Sequence, residues 1–191
     1  MRIDDLGSRI ATAWSELRPT TRRLVERALQ AGTPMPRNFH YDTRADLELS
    51  RFLATLDDAL DAENSGKLKS IADTCAAVLS EKTESAEVFT QLVKRAEMQR
   101  DYRRIDLLAD ALTSRFPPSE ICELARSEDT VVRELANEAL ARCPISILAA
   151  LLSDPVDSET ARAALRRQVV EYGSEEARQI VNALDQADEM L

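Results

Sequence analysis

Residues 92–104, LVKRAEMQRDYRR, form the strongest basic cluster in the chain. Lys94, Arg95, Arg100, Arg103 and Arg104 outnumber Glu97 and Asp101, for a local net charge of +3. Guanidinium forks match carboxylates and phosphates geometrically, so arginines in this density can dock an anionic group. A solvated turn between two helices is the plainer alternative. Arg133 joins these five as a candidate partner-binding residue, for reasons that come from its place in a repeat. A smaller group, Arg162, Arg166 and Arg167, has helical spacing and a weaker claim.

Other residue types capable of chemistry are sparse. His40 is the single histidine, set between Phe39 and Tyr41 with Asp42 nearby. One histidine cannot serve both a nucleophilic triad and a histidine-rich zinc site, and no Gly-rich phosphate loop, nucleophile elbow or HExxH segment occurs. Asp57 and Asp61 share a helix face beside Asp58, but dedicated cation sites draw more oxygens from several elements. The three cysteines, Cys75, Cys122 and Cys143, form no CxxC pair and read as reduced thiols, Cys75 and Cys122 being packed among apolar residues on helices. No catalytic residue, cofactor or metal is expected.

The elements that must position the basic residues are helical. Four glycines and 4% aromatics in 191 residues argue against sandwiches and barrels, while Ala, Leu, Glu and Arg fill the long segments. Apolar periodicity predicts helices over 4–17, from Pro19 to a Gly32 stop, and over 45–63, 67–80, 85–98 and 101–115. Phe116-Pro117-Pro118 breaks the chain. Helices at 119–126, 130–142, 144–152, 157–171 and 174–189 follow, the last with a fraying end, making about eleven in all. In the helix over 101–115, Tyr102, Ile105, Leu108, Ala109 and Leu112 are the expected buried stripe. Trp14 is expected in the core. Residues 33–44 lack helical period and carry two prolines, dividing an N-terminal helical hairpin (1–32) from an array (45–191) within one compact domain.

Residues 118–143 and 144–169 echo each other. At an offset of 26, Pro118 matches Pro144, Ile121 matches Ile147, Ser127 matches Ser153 and Glu128 matches Asp154. After one deletion the offset is 25, and Asp129 meets Asp154, Ala136 meets Ala161, Ala139 meets Ala164 and Leu140 meets Leu165. A fixed period of this size marks stacked helical units, each leaning on its neighbours to bury its apolar face.

The piece LARSEDTVVRELANEALARCP resembles HEAT-like repeats, especially the bacterial leucine-rich-repeat-variant type. The pattern is carried by Asp129, Val132, Arg133, Ala136, Ala139 and Leu140. The next unit keeps Asp154, Ala161, Ala164 and Leu165 but has Ser158 where the arginine would stand. The resemblance covers about residues 105–170. It implies an all-α fold, a right-handed α-α superhelix that binds proteins or peptides along a concave face, with the arginine at position 133 bracing the next unit. Within its own helix, Arg133 is also spaced to pair with Asp129.

These features together lead to the expectation of a non-catalytic protein-interaction scaffold with a protein partner. The net charge is −9, of which residues 101–191 carry −8, so general attraction to nucleic acid is disfavoured. No run of 18 apolar residues and no signal-peptide core are present, which points to a cytoplasmic protein without a membrane span. The alternatives are a HEAT-like enzyme or enzyme subunit acting on nucleic acid, which would need a basic face with a positioned carboxylate and aromatic, and a small-molecule or lipid sensor with a pocket beside residues 33–44.

Overall fold

A computed structural model describes residues 7–31, 41, 44–62 and 65–189, and among these every regular element is a helix. His40, Gly32 and most of the 33–44 segment lie outside the described residues, as do Ile3 and Leu6. The helices are α1 (Ser8–Glu16), α2 (Pro19–Ala31), α3 (Arg44–Ala62), α4 (Gly66–Lys82), α5 (Ala86–Met98), α6 (Tyr102–Arg115), α7 (Pro118–Ala125), α8 (Thr130–Ala141), α9 (Ile145–Leu151), α10 (Ser158–Tyr172) and α11 (Glu175–Glu189). No described helix is long and apolar enough to cross a membrane. Spatially the chain falls into two compact units, Met1–Leu92 and Val93–Leu191.

In the first unit α3 is the central element, packing against α1, α2 and α4. Trp14 of α1 meets Phe52 of α3 with ring centroids 5.4 Å apart, and both side chains are buried. Glu48 of α3 accepts from the Arg18 backbone N–H at 3.3 Å and from the Thr21 hydroxyl at 2.5 Å. A carboxylate therefore sits at the positive end of α2, supplied by tertiary packing rather than by a local cap. Asp46 is also buried; Thr83 Oγ1 donates to it at 2.9 Å and the Tyr41 hydroxyl donates to its other oxygen. Both carboxylate oxygens are satisfied, as a buried anion requires.

The second unit contains the echo found in the sequence. α7 packs on α8, α9 on α10, and the longer helices α6, α8 and α10 pack in sequence, α6 against α8 and α8 against α10, followed by α11 against α10. Ala136, Ala139 and Leu140 are buried, and so are Ala161, Ala164 and Leu165 one period later. Asp129 Oδ1 accepts from the N–H groups of Val131 and Val132 at 3.0 and 3.1 Å. Asp154 Oδ1 accepts in the same way from Val156 and Asp157, at 2.8 and 3.4 Å. The turn thus equates Asp154 with Asp129, not with Glu128.

The same spacing of buried positions occurs in α6. Asp101 caps α6, accepting from Arg104 N–H at 3.1 Å. Leu108 and Leu112, seven and eleven residues past this cap, are buried, like Ala136 and Leu140 past Asp129 and Ala161 and Leu165 past Asp154.

One expectation about α6 is corrected. Tyr102 is 69% exposed rather than buried. At about 100° per residue it lies roughly 100° around α6 from the Leu108–Leu112 stripe. α11 is helical to Glu189, and near its end Asp188 pairs with Arg162 at 2.6 Å, and Asp185 with Arg162 and Arg166 at 3.0 and 2.9 Å.

Candidate functional site

The basic segment occupies the turn that joins α5 to α6. Its backbone closes α5 with a paired set of bonds: Arg100 N–H donates to Glu97 O at 2.9 Å, and Asp101 N–H donates to Ala96 O at 2.9 Å. This is the double closure that helices use when the residue after the cap turns left-handed. Arg100 is that residue, at φ 55°, and it is the one non-glycine with positive φ among the described residues. α10 also ends on a left-handed residue, Gly173 at φ 64°, but its closing bonds differ, the N–H groups of Gly173 and Ser174 both reaching Gln168 O. Left-handed geometry presses a Cβ towards the following carbonyl and costs a non-glycine residue about 1–2 kcal/mol, so Arg100 holds a position that glycine fills more stably.

Arg103 and Arg104 stand in the first turn of α6, which contains no acidic residue. A helix N-terminus carries partial positive charge, so two cations there are locally unfavourable. Asp101 offsets part of this by capping the helix.

Lys94, Arg100 and Arg103 are exposed and Arg104 is half-buried. None of these four side chains hydrogen-bonds or pairs with another described residue. Beside them, Met98 is 77% exposed and Tyr102 is 69% exposed. Arg95 is different: its side chain is buried and Nη1 donates to Gln99 Oε1 at 3.2 Å, so it is absent from the exposed set.

Arg133 does not join this turn. Its Nη1 donates to the carbonyls of Ser127 and Glu128 at 2.9 and 3.3 Å, clamping the α7–α8 turn of its own hairpin. The expected Asp129–Arg133 ion pair is replaced by the helix cap, because Asp129 points at backbone N–H groups. The brace to the next unit comes from Arg126 instead. Its Nη1 reaches Asp157 Oδ1 at 2.8 Å and Val156 O at 3.3 Å, joining the α7–α8 turn to the α9–α10 turn. The smaller cluster is also internally engaged, Arg167 bonding Glu171 and Glu138 at 2.7 and 3.1 Å.

Sequence reasoning passed over Met98 and Arg126. Met98 was legible, since it lies on the face of α5 opposite the Val88, Phe89, Leu92, Val93 and Ala96 stripe. Arg126 carried no signal, its partner lying 31 positions away.

Asp58 of the acidic cluster pairs with Arg9 at 2.8 Å, and the Asp61 side chain lies outside the described residues. No group of three or more His, Cys, Asp or Glu side chains suited to a metal occurs among the described residues. Cys122 is buried, and burial, followed by the Asp157 charge, pushes its thiol up to about 11. Burial raises Cys143 too. Such thiols stay protonated and poorly nucleophilic near neutral pH.

Arranged this way, the α5–α6 turn can offer unpaired cations and exposed apolar surface together. It presents no nucleophile with an adjacent base. No protein-family model, curated protein or solved structure matches the chain.

Proposed function

We propose that this protein is a non-catalytic interaction module, HEAT-like in its second unit and built there as a right-handed stack of helix pairs, which captures a protein partner at the α5–α6 turn. The reading rests on one observation above all: Arg100 holds a left-handed position while its guanidinium is left unpaired between the exposed Met98 and Tyr102. Local strain retained at an exposed residue is a mark of function rather than of stability. Tyr, Met and Arg are the side chains enriched where proteins meet. The aspartates that bond backbone N–H groups at Asp101, Asp129 and Asp154 support the repeat build, and the free thiols Cys122 and Cys143 suit a reducing compartment such as the cytoplasm.

The test is an affinity capture from the native host with wild-type protein and two variants. One carries Met98→Ala and Tyr102→Ala; the other replaces Arg100, Arg103 and Arg104 by Ala. A stoichiometric protein retained by wild type and lost from both variants, with unchanged thermal unfolding, is the expected result. A partner retained equally by all three would move the interface elsewhere and defeat the reading.

A further inference from the structure

We infer that the partner presents an acidic segment in which carboxylates flank an apolar side chain; the inference rests on the interaction reading above and names the chemistry of that site. Charge complementarity carries it. Across the second unit most cations are already engaged by the protein itself. Arg126 pairs with Asp157, Arg142 with Glu138, Arg162 and Arg166 with Asp185, Arg167 with Glu138 and Glu171, and Arg178 with Glu175. Arg133 is taken up by backbone carbonyls, and Arg115 lies over the Phe116 ring at 5.7 Å. Yet the turn leaves Lys94, Arg100, Arg103 and Arg104 without an anion among the described residues. This happens in a unit, Val93–Leu191, that carries −6 and has carboxylates to supply.

The local conflicts agree with that pattern. Glycine at position 100 and acids in the first turn of α6 would each be more stable, but the chain places arginines at both. An arginine fork aligned by a tight turn binds carboxylate oxygens in pairs. Met98 is unbranched and adaptable, and Tyr102 offers a flat ring, so an apolar side chain between the carboxylates has a place to rest. Nucleic acid fits less well. Its binding grows with the number of phosphates neutralised, whereas here the unpaired cations cluster at one turn of an otherwise acidic unit.

The experiment is fluorescence anisotropy on the full chain with four labelled probes: a short glutamate-rich peptide with a central phenylalanine, its glutamine analogue, its phenylalanine-to-alanine analogue, and a single-stranded DNA oligonucleotide of similar length. The glutamate peptide should bind most tightly, weaken as salt rises, and lose roughly tenfold with Arg100→Gly or Arg103→Ala. The phenylalanine-to-alanine peptide should lose affinity as well. Arg100→Gly is the decisive variant, because it should raise stability while lowering affinity, so a loss cannot be assigned to unfolding. Equal binding of the glutamine analogue, or no effect of Arg100→Gly, would overturn the acidic-segment inference. If capture still depended on Met98 and Tyr102, the interaction reading would survive that failure. DNA binding more tightly than the peptide would overturn both.

Discussion

Arg126 and Asp157 stand 31 positions apart in the chain, and the guanidinium of the first lies 2.8 Å from the carboxylate of the second. The pair is lopsided. Asp157 is buried, while the Arg126 side chain keeps 38% of its exposure. Asp157 is therefore the partner that needs the other, since a buried charge without its counter-ion is costly. Replacing Arg126 by Ala should destabilise the protein by about 1–3 kcal/mol in urea unfolding. Arg178→Ala, which breaks the exposed pair with Glu175, should change stability by less than about 0.5 kcal/mol. Similar small effects at both positions would show that the link between hairpins contributes little.

The two left-handed helix ends predict effects of opposite sign. Arg100→Gly should stabilise by about 1 kcal/mol, and Gly173→Ala should destabilise by about as much. A Cβ at Gly173 meets nothing within 4 Å, so its penalty is conformational and not a clash. Paired thermal melts read both. If Arg100→Gly lowered the midpoint, the turn would not be strained in the way its φ indicates.

The repeat register predicts a contrast between two aspartate substitutions. Leu140→Asp puts a carboxylate at a core position and should cost several kcal/mol, unfolding the Val93–Leu191 unit. Tyr102→Asp, at an exposed helix start, should stay within about 0.5 kcal/mol. Limited proteolysis with mapping of the cleavage sites distinguishes the outcomes. A Leu140→Asp protein as resistant as wild type would refute the register.

Alkaline pH should weaken the fold through Cys122. Its folded thiol titrates near 11, above its ordinary value of 9.0, so the unfolded chain releases that proton first. The stability is fully present below pH 9 and is lost as pH rises towards 11. One such group contributes a slope of at most about 1.4 kcal/mol per pH unit. Cys122→Ala should lower stability at neutral pH but fall less steeply between pH 9 and 11. Parallel slopes for the two proteins would mean that Cys122 titrates normally.

Much of this architecture was written in local chemistry. The all-helical build, the eleven described helices and the breaks at Pro19 and Pro117-Pro118 follow from a 3.6-residue apolar period and from backbone constraints acting over a few residues. The echo between residues 118–143 and 144–169 located its core positions, because the same alanines and leucines must recur where one helix packs on the next. Tyr102 was misjudged where its aromatic type outweighed its angle around α6, and Met98 was passed over although that angle placed it outside the stripe.

What the tertiary structure decided is which charges are engaged. Sequence spacing proposed Arg133 as the brace between units and Asp129 as its ion partner; the folded turn gives Asp129 to the helix cap, Arg133 to carbonyls and the bracing role to Arg126. Spacing grouped Arg95 with its exposed neighbours, but packing buried it. The physical reason is range. A helix period or a cap depends on neighbours within a turn, so composition and spacing determine it. An ion pair depends on where a side chain arrives relative to residues 20 or 30 positions away, and only the packed helices set that distance.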